Sequence, residues 1–237
     1  LDGLDIALVE FNLNKGKWSY RYVSTTTNPY PDFWHKQLEN ARFLEAETLA
    51  ILDRNYTTYL AEQIHFFMTQ NSSYTIDLVC SHGHTVHHKP DQGVTFQIGN
   101  RKELSLFLKT TVVCDFRVQD VALGGQGAPL VPGGEFHLFS DYEACVNLGG
   151  FANISLLKQD DLIAFDVAAA NLVFNMFAQK FNLPYDADGK IAAQGLLIPN
   201  LLEELNALPY YELVFPKSLG VEWVTEQLNP ILDAYDQ

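Results

Sequence analysis

One stretch limits what this chain can become. From Val112 to Leu130 it reads Val-Val-Cys-Asp-Phe-Arg-Val-Gln-Asp-Val-Ala-Leu-Gly-Gly-Gln-Gly-Ala-Pro-Leu. The first residues are apolar and β-branched, the pattern of a buried strand. Asp115, Arg117 and Asp120 follow within six residues, at the point where such a strand leaves its sheet. Gly124, Gly125 and Gly127 come next, and glycine lets a backbone turn and approach a ligand closely. Open α/β sheets bind ligands beyond the carboxyl ends of their strands. A carboxylate there, with an arginine two residues on, suits a general base held beside an anion or a sugar. The same residues also suit a strand-end ion pair followed by a flexible loop, since structural pairs place charges at strand ends too. The glycines and the second acid favour a site.

A chain of 237 residues is long enough for one large domain or two modest ones. With 47% hydrophobic and 19% charged residues it reads as a folded protein. The formal charge of −14 argues against a nucleic-acid binder, which needs a basic stripe. It leaves room for one bound nucleotide at a local site that is positive or filled by magnesium. No apolar run approaches the roughly 18 residues of a membrane span, and no signal peptide opens the sequence. The reading is therefore cytoplasmic, without a membrane partner. Cys80, Cys114 and Cys145 each sit in an apolar, strand-like run, without the close pairs that zinc needs. They are expected as small buried strand residues.

The order of elements suggests duplication. Ile6 to Phe11 and Trp18 to Val23 read as antiparallel strands joined at Asn14-Lys-Gly16. Asp32 to Leu52 and Thr57 to Gln70 carry apolar residues at helical spacing, and their aromatics Phe33, Trp34, Phe43, Tyr59, Phe66 and Phe67 are expected in the core. Tyr74 to Cys80 is a strand that breaks at Ser81-His-Gly-His-Thr85, again a ligand-facing pattern. His82, His84, His87 and His88 raise a metal, but no cysteine or carboxylate completes a zinc-like set. Histidines bonding a polar substrate, or a solvated hairpin, fit better. Val94 to Ile98 is a strand and Lys102 to Lys109 a short helix before the Val112 strand; Pro132 to Phe139 reads as a connector. The pattern then restarts. Ala144 to Leu148, the turn Gly149-Gly150 and Phe151 to Leu157 form a second strand-turn-strand, followed by Leu162 to Phe165 with Asp166, and by a helix from Asn171 to Phe181. Asp186 to Gly189 is an acidic turn, and Ile198 to Leu208 reads as a helix. Val214 to Gly220 is a loop exposing Lys217 and Ser218, without the spaced glycines of a P-loop. The domain boundary is drawn near residue 140.

Taken together these pieces resemble the anhydro-N-acetylmuramic acid kinases of bacterial cell-wall recycling. The resemblance rests on Leu1-Asp-Gly-Leu-Asp5, Ser81-His-Gly-His-Thr85, Thr95-Phe-Gln-Ile-Gly-Asn100, Asp115-Phe-Arg117 and Gly124-Gly-Gln-Gly-Ala-Pro-Leu-Val-Pro132. It continues through Val146-Asn-Leu-Gly-Gly-Phe-Ala-Asn153, Phe165-Asp166 with Asn171, Tyr185-Asp-Ala-Asp-Gly189 and Pro216-Lys-Ser-Leu-Gly220. The order is the family's, and the pieces span the chain.

The resemblance implies an α/β, actin and hexokinase-like (ribonuclease H-like) duplicated fold with ATP and sugar in the cleft. Residues 1–140 would be the N-terminal domain and 141–237 the start of a C-terminal domain that is incomplete here. It implies an ATP- and Mg2+-dependent kinase that adds water across a 1,6-anhydro bond and phosphorylates O6. Asp115 would be the base that activates water, Arg117 and Asp120 would hold the sugar or orient Asp115, and His84, Thr85 and Gln126 would also bind the sugar. Leu1, Asp2, Gly3, Leu4 and Asp5 match the end of a first phosphate loop, where Asp2 would hold magnesium through water. Asn147, Gly149, Gly150, Asn153 and Asn171 would form the matching nucleotide side. A homodimer stays open.

This chain departs from the family pattern at His84, where glutamine is usual, and at Val167-Ala-Ala-Ala170, where Thr-Gly-Pro-Gly is usual. It also lacks the Gly-Thr-Ser lead-in before Leu1 and the segment after Gln237, and so reads as a fragment. Two other readings remain: another sugar or acetate kinase of the same fold, or a non-catalytic sugar-binding relative.

Overall fold

The computed structural model describes residues 3–157, 162–215 and 217–235, and the backbone alone at Asp91. It is a mixed α/β structure in two compact units, Leu1–Leu130 and Val131–Gln237. The first unit opens with a long antiparallel hairpin, β1 (Gly3–Asn14) against β2 (Lys17–Pro29). The hairpin outruns its sequence signal, since its polar ends add ladder bonds without adding to the apolar pattern.

Helix α1 (Asp32–Asn40) and a single 25-residue helix α2 (Ala46–Gln70) follow. The expected break at residues 53–56 does not occur. Leu49, Leu52, Asp53, Tyr56, Thr57, Leu60, Ala61 and Ile64 form one continuous buried stripe at helical spacing. Asp53 is tolerated in that stripe because its carboxylate accepts the Gly99 N–H at 2.8 Å and meets Arg101 at 3.4 Å. The break comes earlier, where Leu44 and Glu45 turn to extended backbone.

Tyr56 anchors this core. Its hydroxyl shares a 2.6 Å hydrogen bond with that of Tyr30, and Trp34 and Tyr59 pack on its ring. Burial pushes the Tyr56 phenol far above its usual range. Phe33, Phe43 and Phe66 depart from the expectation and are exposed, because they fall outside the buried stripe.

The remaining strands of the unit are short. β3 (Leu78–Cys80) runs parallel to β6 (Thr111–Val113), and β4 (His84–Lys89) pairs antiparallel with β5 (Val94–Ile98). Helix α3 (Glu103–Leu108) connects β5 to β6, and only Cys114 and Asp115 separate the end of β6 from α4 (Phe116–Ala122). The parallel pair brings the ends of β3 and β6 side by side. Ser81 N–H donates to the Val113 carbonyl at 2.9 Å, which extends the pairing by one step.

The second unit begins with α5 (Val131–Leu138), a helix where a connector was expected. A proline at its second position is compatible with a helix start, which the two glycines after it obscured in the sequence. β7 (Ala144–Leu148), β8 (Phe151–Leu157) and β9 (Leu162–Ala169) form an antiparallel meander, with β9 running past its expected end at Phe165. Helix α6 (Asn171–Lys180) and α7 (Pro199–Asn206) follow. The last segment runs from α8 (Val221–Trp223) through a π turn at Val224–Leu228 into α9 (Asn229–Tyr235), packing Val224 and Leu228 against Val173 and Leu208.

Lys217 is tucked in, not exposed. Its ammonium donates to the Tyr210 carbonyl at 3.0 Å and lies over the Tyr210 ring at 4.6 Å. Cys80 is exposed and Cys114 and Cys145 are half-buried, so the cysteines are less buried than strand positions suggest; all three are free thiols. Among the described residues no helix is long and apolar enough to cross a membrane.

Candidate active site

The end of β6 delivers Asp115 as expected, but straight into a helix. Asp115 is the residue before α4 and takes a left-handed conformation, φ 58°. That region disfavours most side chains, and aspartate is one of the few that visit it. The backbone thus turns sharply at Asp115, leaving the side chain exposed at the strand-to-helix junction.

The Asp115 carboxylate is held by a neutral amide. Asn100, just beyond β5, donates from Nδ2 to Asp115 Oδ1 at 3.2 Å and to the His82 carbonyl at 3.1 Å. The Asn100 Oδ1 accepts the hydroxyl of Ser81, which is buried, at 3.1 Å. The neighbouring Cys114 thiol is raised by burial and, secondarily, by Asp115. Among the described residues no ion pair joins Asp115 to Arg117, so the strand-end pair weighed from the sequence does not form.

Arg117 and Asp120 converge on Gly127 instead. The Arg117 Nη1 donates to the Gly127 carbonyl at 2.7 Å, and Asp120 Oδ2 accepts the Gly127 N–H at 2.6 Å. Both side chains lie on α4, three residues apart, so they share a helical face. The glycine-rich loop is thereby fastened back onto α4. Gly127 itself is buried with φ 67°, and a β-carbon there would press on Val121 at 2.8 Å. Gln126, one residue earlier, is exposed on the same loop.

Arg117 also donates from Nε to His82 Nε2 at 3.0 Å. Arginine has no acceptor, so His82 accepts there and carries its proton on Nδ1, facing the Gly83 carbonyl at 3.0 Å. Burial lowers the Arg117 pKa.

The other histidines are spread along the β4–β5 hairpin. His84 is half-buried, bonds the Leu38 carbonyl at 3.3 Å, and is lowered by burial against the raising effect of that bond. Thr85 lies opposite Gln97, whose amide donates to the Thr85 and Thr95 hydroxyls at 3.4 and 2.9 Å. His88 bonds Thr95 at 3.2 Å and is lowered by burial first and by Arg117 second. The predicted residues Asp115, Arg117, Asp120 and Gln126 therefore share one junction, with His84 and Thr85 on the adjoining hairpin. Among the described residues no cluster of three histidine, cysteine or carboxylate groups is placed to hold a metal.

Asn100 and Ser81 are the residues that pattern reading left without a role. Ser81 directly follows β3 and Asn100 stands two residues past β5, and both fall in motifs that carry the family resemblance, which assigned neither a role.

The second unit offers a different kind of site. Asn147 on β7 faces Asn153 on β8, and Gly149-Gly150 closes the turn. The carbonyls of Gly149 and Gly150 accept N–H groups from Ala170, Asn171 and Leu172 at 2.9–3.1 Å, and the Asn171 side chain donates to the Leu148 carbonyl at 3.0 Å. The first turn of α6 is thus used to pin the hairpin. Among the described residues, the N–H groups of Gly149 and Gly150 have no protein acceptor. In the first unit Gly3 and Leu4 begin β1, and Asp5 accepts the Thr27 hydroxyl at 2.5 Å. Leu1 and Asp2 lie outside the described residues.

The anhydro-N-acetylmuramic acid kinase family model matches residues 1–235. The chain belongs to that family. Relatives bearing the anhydro-N-acetylmuramic acid kinase name include a Pseudomonas syringae protein, 35% identical over 96% of this chain and 65% of that protein. One from Neisseria meningitidis is 34% identical over 100% of this chain and 68% of that protein, and one from Pseudomonas putida is 37% identical over 94% and 62%. The chain spans about two thirds of the length of the curated relatives it matches. Both the Asp115 junction and the Gly149-Gly150 hairpin lie inside the stretch matched by the anhydro-N-acetylmuramic acid kinase model.

Proposed function

We propose that this protein hydrolyses the 1,6-anhydro bond of anhydro-N-acetylmuramic acid and phosphorylates O6 from ATP, giving N-acetylmuramic acid 6-phosphate and ADP. The observation that carries the reading is Asp115: an exposed carboxylate, held by an amide and not by Arg117. A base must be free to take a proton, and pairing with a guanidinium would oppose that.

In this reading Asp115 accepts a proton from water as the water oxygen bonds to C1. The C1–O6 bond breaks with its electron pair going to O6, and O6 attacks the terminal phosphorus of ATP while ADP leaves. Arg117 and Asp120 keep the glycine-rich loop against α4, and Gln126, His84 and Thr85 present polar groups to the sugar. The Gly149 and Gly150 amides suit phosphate oxygens, because backbone N–H groups in a turn form an anion-binding concavity. A magnesium ion would supply charge neutralisation on the phosphates, and Asp2 would hold it through water.

The finer architecture belongs to the same reading: a duplicated actin and hexokinase-like fold, with the two units as its lobes. It is supported by antiparallel strands that lead into helices in each unit, the β1–β2 hairpin in the first and the β7–β8–β9 meander in the second. Use of ATP would place the reaction in the cytoplasm. The test is direct. Incubation with ATP and the anhydro sugar should give a product heavier by one water and one phosphoryl group, with one ADP per product. A product carrying phosphate with the anhydro ring intact would overturn the hydrolytic step.

A further inference from the structure

We infer that Asn100 is a positioning residue for Asp115: it fixes the direction in which the carboxylate presents its proton-accepting oxygen. The inference rests on the assignment of Asp115 as the base. Three contacts fix the amide of Asn100 and decide which end is which. Its Nδ2 faces two acceptors, the His82 carbonyl at 3.1 Å and the Asp115 carboxylate at 3.2 Å, and so must be the nitrogen. Its Oδ1 accepts from Ser81 at 3.1 Å.

The surroundings hold that amide in place. Gly83 sits at φ 70°, where an added β-carbon would collide with the Ile98 carbonyl and the Asn100 amide. Gly99 N–H is bonded to Asp53 on α2, so the backbone before Asn100 is tied to the core. The end of β5 is therefore anchored on one side by α2 and on the other by the end of β3. Asn100 carries that rigidity to a carboxylate that its own left-handed backbone leaves exposed. Of the titratable groups around Asp115 among the described residues, Cys114 is its direct neighbour, while Arg117 and His82 are bonded to each other.

A purely structural asparagine and a positioning one predict different results for Asn100→Asp. The substitution keeps the shape and the Ser81 bond but puts a second negative charge where the amide nitrogen was. A like charge opposes ionisation, so the acid limb of the pH–rate profile should move up by about one pH unit. Turnover should fall about ten- to hundredfold, as misplacing a reacting group does, with the sugar KM changed little. A profile whose acid limb coincides with the parent's, at a turnover lowered only by the folded fraction, overturns the inference.

Should that variant not fold, Ser81→Ala frees the amide to rotate without adding charge. It should lower turnover about two- to tenfold at an unchanged sugar KM, and unchanged turnover overturns the inference. Asp115→Asn measured in parallel separates the two levels. If it stays active, the base assignment fails and the inference falls with it. If it is inactive while the Asn100 and Ser81 variants behave as the parent, only the inference falls.

Discussion

The Asp115 junction and the Gly149-Gly150 hairpin are built on opposite principles. At the first, side chains do the work and the backbone is already committed: Ser81, Asn100, Arg117 and Asp120 each hold a defined partner. At the second, carbonyls are committed to the start of α6 and the turn's two N–H groups are left open among the described residues. The difference teaches where each site is fragile. A side-chain site fails when the geometry behind it shifts, whereas a backbone site fails when something fills the space before it.

Alanine at a glycine separates the two most sharply. Gly83→Ala forces a β-carbon into the left-handed region and against the Ile98 carbonyl. Strain of that kind costs roughly 1–3 kcal/mol before the collision is counted. Chemical denaturation should show at least that loss, and an unchanged midpoint would mean the β4–β5 end is loosely held.

The pH response should come next in size. The folded structure depresses the pKa values of His84 and His88, chiefly through burial. The unfolded chain then binds more protons, so stability is full above the unfolded value of about 6.5 and is lost as pH falls below it. In the second unit, Asp186 is lowered by hydrogen bonds from the Ile191 and Ala192 N–H groups. Its contribution is present above the unfolded carboxylate value of about 3.9 and is lost as pH falls further. Hydrogen exchange resolved by peptide should therefore show the β4–β5 hairpin loosening before the Asp186 turn on acidification. The reverse order would break the contrast.

The smallest effect on stability is expected at Gly149. A β-carbon there meets only the Phe151 carbonyl, at 3.4 Å. Gly149→Ala should shift stability by no more than about 0.5 kcal/mol while weakening ATP binding in calorimetry. Equal affinity for ATP would argue that these amides do not face phosphate.

Much of this was legible in the sequence, for reasons visible at particular residues. The Val146 to Asn153 hairpin was readable because apolar strands flank a Gly-Gly turn, a local signal. Asp115 was readable because it ends an apolar run. The continuity of α2 was not, since Asp53 is tolerated only through Gly99 and Arg101, which lie 46 and 48 residues away in sequence. Nor was the tie of Arg117 to Gly127 and His82, which depends on α4 forming where the strand-end charges suggested a loop. Local pattern carries elements; partners distant in sequence are set by packing.

Asp115→Asn decides the assignment most directly, with turnover and melting temperature measured on one preparation. The amide keeps the shape and much of the hydrogen bonding but cannot take the proton. General-base catalysis contributes about 10²–10⁴-fold, so turnover should fall at least a hundredfold while the melting temperature stays close to the parent's and sugar binding survives. A variant that still converts anhydro-N-acetylmuramic acid at about a tenth of the parent rate would contradict the role given to Asp115.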